Sequence, residues 1–408
     1  MCAPIPPEPL PAVTVVGLTA DGWSGLPEAQ RQLVLGADVL VGGRRHLALV
    51  PPRPHQRREL WPSPLRERLV TFLAGLGAGE IVLLASGDPL VSGVGTTLVD
   101  LLGADRVRVL PALSSVALAR AELRWPAESH AVVSVVGRAT SLVLRELAPG
   151  RRVLVLSADE RTPAEVAELL RSVGYGASTM HVLGDLGSAD FSRIDGTAST
   201  WSAASPRLNV IGLALAGPPR GAWTAGLPDH CFEQGGRPGL RDARASALAR
   251  LAPVPGEHLW DVGAGPGWVG IEWMRAHPTC SATAVEPDAR RAEGLQRNAA
   301  ALGVPTLRVV RGVAPGALDG LPAPSAVFVH GGAATDAVVE RCLAALVSGG
   351  RLVVQGTTPE TAALLRRLHG RHGGELVRIS VEVATPGDGG TGWAPSPAVT
   401  QWAFTRDS

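Results

Sequence analysis

The stretch Leu259-Trp-Asp-Val-Gly-Ala-Gly-Pro-Gly-Trp-Val-Gly270 decides how the second half of the chain is read. A short apolar run carries an aspartate near its end, glycines follow at alternate positions, and a helical run, residues 269–276, comes straight after. Glycines at such a strand-to-helix turn let the backbone approach a cofactor closely, and the start of the helix presents free N–H groups. Gly265-x-Gly267-x-x-Gly270 also satisfies the dinucleotide-binding fingerprint, a pattern that is weak on its own. Two acidic residues separate the readings. Asp261 lies two residues before Gly263, where a nicotinamide-binding strand normally carries an apolar residue, and it suits the cationic amino group of S-adenosylmethionine. Glu286 ends the next expected strand, where a carboxylate can take both ribose hydroxyls. Asp261, Gly263, Gly265, Gly267 and Glu286 therefore form a candidate S-adenosylmethionine site, preferred over a nicotinamide site and over a turn that serves packing alone.

Outward from this loop, short β-branched runs alternate with Ala/Leu/Arg-rich amphipathic stretches along the whole chain, which predicts α/β architecture. Strands are expected at residues 13–17, 38–41, 81–85, 107–110, 131–136, 152–156 and 209–215. After the breaker cluster Gly217-Pro-Pro-Arg-Gly221 a second alternation gives strands at 259–263, 282–286, 307–311, 326–329, 351–355, 376–384 and 399–404. The expected organisation is a first domain over residues 12–217, a linker over 218–225 and a second domain over 226–408.

In the first domain, Ser86-Gly87-Asp88-Pro89-Leu90 follows an expected strand. Alone it is an ordinary turn, with Asp at the start and Pro fixing φ. Three other strands also end in small or polar loops: Val16-Gly17-Leu18-Thr19, Pro111-Ala-Leu-Ser114-Ser115 and Val136-Gly137-Arg138. Ligands on open parallel sheets bind outside the carboxyl ends of the strands, so Gly17, Gly87, Asp88, Pro89, Ser114 and Ser115 form a second candidate cofactor site.

Composition narrows the chemistry. The chain has 408 residues, a net charge of +1, and 38 basic residues that are all arginine. Without lysine there is no Schiff-base chemistry and no Walker-type phosphate loop. The charge balance argues against a nucleic-acid partner. Four cysteines, Cys2, Cys231, Cys280 and Cys342, are too widely spaced for a metal knuckle or a disulfide framework. His369-x-x-His372 has no further ligand beside it, so no metal is expected. No apolar run reaches the ~18 residues of a membrane span, and residues 1–11 do not read as a secretion signal, so a cytoplasmic protein with free thiols is expected.

The first domain resembles the tetrapyrrole methylase family, whose two α/β subdomains bind S-adenosylmethionine in the cleft between them, with the Gly-Asp-Pro turn at the cofactor. Leu113-Ser114-Ser115-Val116 and Leu156-Ser-Ala-Asp159-Glu160-Arg161-Thr162-Pro163 resemble the branch that methylates a precorrin at C-5. The second domain resembles the decarboxylating C-15 methyltransferases, which have a Rossmann-like class I fold. Gly226-Leu-Pro-Asp229-His-Cys-Phe232, Trp260-Asp-Val-Gly263, Ile271-Glu-Trp-Met-Arg275, Pro315-Gly-Ala-Leu318 and Val399-Thr-Gln-Trp402 carry that likeness. The order is that of the fused C(5,15)-methyltransferases. Gly239, Pro266 and Trp268 depart from that pattern, standing where Thr-Lys begins, Ser and a small residue are usual.

The resemblance implies two S-adenosylmethionine sites and methylation of a precorrin at C-5 and C-15. It also implies loss of the C-12 acetate as CO2, giving precorrin-8 in cobalamin biosynthesis, and a homo-oligomer. The alternative is a C-5 methyltransferase with a non-catalytic corrin-binding or assembly domain. A substrate with many carboxylates calls for arginine clamps, with candidates in Arg44-Arg45, Arg138, Arg241 and Arg244. Trp268, Trp273 and Trp393 are candidates to stack on a flat macrocycle.

Overall fold

In the computed structural model, residues 11–77, 79–219, 223–233, 240–387 and 390–407 are described. Cys2, Gly239 and residues 220–222 of the expected linker lie outside them. The chain divides into two compact units, one of residues 1–140 and 148–218, the other of residues 141–147 and 219–408.

The first unit holds two five-stranded sheets. Strands β1 (Val13–Leu18), β2 (Val39–Gly42), β3 (Arg57–Leu60), β4 (Ile81–Ser86) and β5 (Val107–Leu110) form the first, in the order β3-β2-β4-β1-β5. Its pairs are all parallel. β4 is central and apolar from Ile81 to Ala85 because both of its faces are covered there. Ile81, Leu83 and Ala85 pack in one core cluster, and Val82 and Leu84 in the other. Strands β6 (His130–Ser134), β7 (Arg152–Leu156), β8 (Thr179–Gly184), β9 (Ser192–Thr197) and β10 (Asn209–Ala214) form the second sheet, ordered β6-β7-β10-β8-β9. Only the β6–β7 pair is parallel. The sequence suggests none of β3, β8 and β9; in β3 and β9, charged, interrupted runs hide the strand period.

The second unit is built on a seven-stranded sheet. Its strands are β11 (His258–Val262), β12 (Ser281–Glu286), β13 (Arg308–Arg311), β14 (Ala326–His330), β15 (Arg351–Gly356) and β16 (Glu375–Ile379), and, after the hairpin β17 (Glu382–Gly387) and β18 (Gly390–Pro395), β19 (Val399–Thr405). The order β13-β12-β11-β14-β15-β19-β16 is parallel except for β19, which runs antiparallel to both neighbours. Strand order reverses between β11 and β14, the switch point where ligands bind on doubly wound sheets. The expected single strand at 376–384 is two strands in different sheets, because the chain leaves the main sheet after Ile379 to form the hairpin.

Candidate active sites

In the first unit, the loops after β1, β4 and β5 meet backbone to backbone. Gly87 (φ +54°) donates its N–H to Leu18 O at 2.8 Å and accepts Ala112 N–H at 3.1 Å. A Cβ on Gly17 would lie 2.0 Å from Gly87 O and 2.7 Å from Ala112 N, so only glycine allows this approach. Asp88 Oδ1 accepts the Leu90 N–H at 2.9 Å and shapes the turn. Pro89 packs against Gly93 and Gly95, whose Cβ atoms would meet its carbonyl at 2.6 and 2.7 Å. Ser114 caps the helix Ser115–Leu123 by accepting Ala117 N–H at 3.1 Å.

Above these loops lies a cavity of about 650 Å³, lined by Gly87, Asp88, Ser114 and Ser115 and, from the second sheet, by Ser157, Asp185, Arg207 and Asn209. Gly17 and Pro89 do not line it; they hold the loops that do. Of the stretch from Leu156 to Pro163, Leu156, Ser157 and Ala158 line the cavity as well, whereas Asp159 does not: its Oδ1 is committed to the N–H groups of Arg161 and Thr162 at the start of the helix Thr162–Ser172.

In the second unit a cavity of about 260 Å³ opens at the switch point, lined by Asp261, Gly263, Gly265, Trp268, Arg291, His330 and neighbours. Asp261 is 1% exposed. Its Oδ2 accepts the Gly270 N–H at 2.9 Å, while Oδ1 is buried with no hydrogen-bond partner. Burial, and more weakly Glu286, push this carboxyl up to about 7 against the pull of the Gly270 N–H. An orphaned carboxylate oxygen on a cavity wall fits a cationic amino group. Gly265 (φ +54°) faces open space, whereas a Cβ on Gly267 (φ +85°) would meet Leu295 Cγ at 2.7 Å. Glu286 is equally buried, but Oε2 accepts the Gly265 N–H at 2.8 Å and Oε1 the Asp288 N–H at 3.1 Å. It braces the loop from behind, and neither it nor Gly267 lines the cavity. Pro266 accepts Asn298 Nδ2–H at 3.0 Å through its carbonyl. His330 ends β14 beside Gly263, and burial, with Arg291 nearby, lowers its pKa against a weaker opposing effect of Glu286.

Comparison with known proteins assigns both units. Residues 12–201 match the tetrapyrrole (corrin/porphyrin) methylases, and residues 230–406 match the precorrin methyltransferase domain. A Sinorhizobium protein named precorrin-6Y C(5,15)-methyltransferase [decarboxylating] is 42% identical over 401 residues, 97% of each chain. The chain belongs to the precorrin-6Y C(5,15)-methyltransferase family. A Mycobacterium tuberculosis protein of the same name is 40% identical over 97% of this chain and 100% of its own. The solved C-terminal domain of the Rhodobacter capsulatus precorrin-6Y C5,15-methyltransferase is 40% identical; it covers 46% of this chain and all of its own, with a TM-score of 0.43. The protein is thus a methyltransferase of an S-adenosylmethionine-dependent family, with an α/β tetrapyrrole methylase fold first and a Rossmann-like methyltransferase domain second.

Within this C(5,15)-methyltransferase several expected roles change. Arg244 is no substrate clamp: it is 2% exposed, and its Nε donates to Glu272 Oε1 at 2.5 Å, its Nη1 to Asp229 Oδ1 at 2.9 Å and its Nη2 to Leu227 O. Glu272 Oε2 also accepts the N–H groups of Gly226 and Leu227, so two of the motifs that carry the resemblance form one buried structural knot. Arg241 is exposed and donates from Nε to Gly226 O at 2.6 Å. Arg138 sits in the exposed turn after β6, outside the cavity lining. Arg45 does line the first cavity.

Trp273 is fully buried, with Nε1 donating to Ser281 O, and is core rather than a stacking surface. Trp268 lines the second cavity, and Trp393 is 69% exposed on the hairpin. The residues that sequence reasoning missed are His46, Asp185, Arg207 and Asn209 in the first cavity and Arg291 in the second. Among the described residues no group of three His, Cys, Asp or Glu side chains could hold a metal ion, and no helix is long and apolar enough to cross a membrane.

Proposed function

We propose that the chain methylates a precorrin from two separate S-adenosylmethionine sites. The first unit acts at C-5; the second acts at C-15 and removes the C-12 acetate as CO2, giving precorrin-8 for cobalamin biosynthesis. The observation that carries this reading is that each unit has its own cavity at the carboxyl ends of parallel strands, floored by a glycine turn. When bound, S-adenosylmethionine supplies an electrophilic methyl group. In the first cavity the Gly87-Asp88 turn and the capped start of the helix Ser115–Leu123 would hold it, with Gly17 and Pro89 fixing the loops. In the second, Asp261 Oδ1, Gly263 and Gly265 would hold it, with Gly267 and Glu286 setting the shape of the loop.

What the protein must add is alignment, since methyl transfer asks for reacting atoms within ~3.5 Å and in line. The ring carbons of a reduced tetrapyrrole are enamine-like, so no strong base is required. The electron pair left by CO2 passes into the conjugated macrocycle, and the protein's part is to hold that carboxylate in poorly solvated surroundings. Two full-length relatives bear the decarboxylating C(5,15) name, which disfavours a non-catalytic second domain. Calorimetric titration of the full chain with S-adenosylmethionine tests the reading. Two equivalents are expected, falling to one when Gly265→Leu fills the second cavity. One equivalent in the unmodified chain, unaffected by that change, would overturn it.

A further inference from the structure

The first cavity contains a hydrogen-bonded pair that the reading above leaves without a role. β4 ends in Ser86, and the short helix Arg44–Ala48 brings His46 beside it, with Nε2 2.8 Å from Ser86 Oγ. Both residues line the cavity. His46 Nδ1 is buried without a hydrogen-bond partner, so the ring's one polar link is to the serine. Burial, and after it the adjacent Arg45, lower the imidazole to about 4, which keeps it neutral near pH 7. The other charged groups on the cavity wall are Asp88 on the turn after β4 and Asp185, Asp190 and Arg207 from the second sheet's loops.

Resting on the two-site reading, we propose that Ser86 and His46 are the proton-accepting pair of the first cavity. A ring carbon that gains a methyl group must give up the hydrogen it carries. As that C–H bond breaks, its electron pair returns to the ring, the proton passes to Ser86 Oγ, and the serine's own proton passes to His46 Nε2. The imidazolium then releases the proton to water. The methylated ring is cationic until this step, so its C–H is strongly acidic and a weakly basic imidazole suffices. Ser86 is the catalytic residue of the pair, and His46 is a positioning residue that acts through it.

His46→Gln and Ser86→Ala, singly and together in the full chain, test the pair with the precorrin substrate. Mass spectrometry separates the steps, because only the C-15 step loses CO2. Turnover at C-5 should fall about 100-fold in each single variant and little further in the double, since the two act as a unit. KM and the calorimetric affinity for S-adenosylmethionine should be little changed. C-15 methylation is the internal control for folding. Unchanged C-5 turnover in both variants would overturn the proposal. So would a loss of cofactor affinity that matches the loss of turnover, which would make the pair part of the cofactor cradle. An unmodified chain that fails at C-5 would sink the two-site reading and the pair with it, whereas normal C-5 activity with silent variants sinks the pair alone.

Discussion

At the Gly87 turn of the first unit, glycine is required because three loops stack backbone on backbone; in the Gly263–Gly267 loop of the second, the requirement is a left-handed backbone and the side chains of Ala333 beside Gly263 and Leu295 beside Gly267. The polar groups differ in the same sense. The first cavity is assembled from many remote loops and keeps hydroxyls and carboxylates on its wall. The second has Asp261, Arg291 and His330 on its wall, with Glu286 bracing the loop behind it. Of the four oxygens of the two buried carboxylates, three accept backbone N–H groups and only Asp261 Oδ1 is unpartnered. The first site is therefore sensitive to added bulk, and the second to charge and to what braces it.

The largest effect is expected where the second unit's brace is cut. Glu272→Ala removes the acceptor for Arg244 Nε and for two backbone N–H groups in a site only 2% exposed. Breaking such a buried pair costs about 3–5 kcal/mol, a large share of a domain's stability. Scanning calorimetry should show the second unit melting early, with C-15 activity lost and C-5 activity kept. A coincident loss of both activities would break the comparison. Gly17→Ala is the counterpart in the first unit. Its Cβ meets backbone atoms at 2.0 and 2.7 Å, and a displacement of about 1 Å is enough for a roughly 100-fold loss of C-5 turnover. C-15 turnover in the same sample should not move.

A pH effect on cofactor affinity near neutrality should belong to the second site alone. Asp261 ionises near 3.8 in the unfolded chain and near 7 when folded. Between those values the folded chain holds the extra proton, so stability from this group falls as pH rises from about 4 to about 7 and is level above. An ammonium group pairs with the carboxylate and not with the acid. Affinity at the second site should therefore weaken as pH falls below about 7, by up to tenfold per pH unit. Calorimetry on either side of that pH checks it, and Asp261→Asn should leave a weaker affinity with no such slope. A slope that survives in Asp261→Asn would place the titrating group elsewhere.

The same contrast explains what the sequence let one read. Asp261 and the Gly263–Gly267 loop lie in one continuous stretch that joins a strand to a helix, so their proximity is local and visible. The first cavity was legible in part: Gly87, Asp88, Ser114 and Ser115 in its floor, with Gly17 fixing the loops beneath, and Arg45 and the stretch Leu156-Ser-Ala158 on its wall. Its far wall comes from the loops at Asp185 and Arg207, beside strands that run mostly antiparallel, and from the helix that carries His46. No spacing rule links those positions. Arg244 and Trp273 misled for another reason: their residue types suit ligand chemistry, and only burial shows that the fold has already used them.

The smallest effect should come from Ser114, where a structural and a binding role overlap. Its hydroxyl caps the helix Ser115–Leu123, and the residue lines the first cavity. Ser114→Ala removes the cap at a cost of about 1 kcal/mol, which the first unit can bear. Ser114→Asp keeps a capping oxygen and adds negative charge at the helix start, where it stabilises. If the hydroxyl only caps, the aspartate variant should regain the stability and the C-5 turnover together. If it also meets the cofactor, stability should return while cofactor affinity at the first site does not, since a carboxylate now stands where the hydroxyl was. Thermal unfolding and calorimetry on the two variants separate these outcomes, and the second site provides the unaltered reference within the same chain.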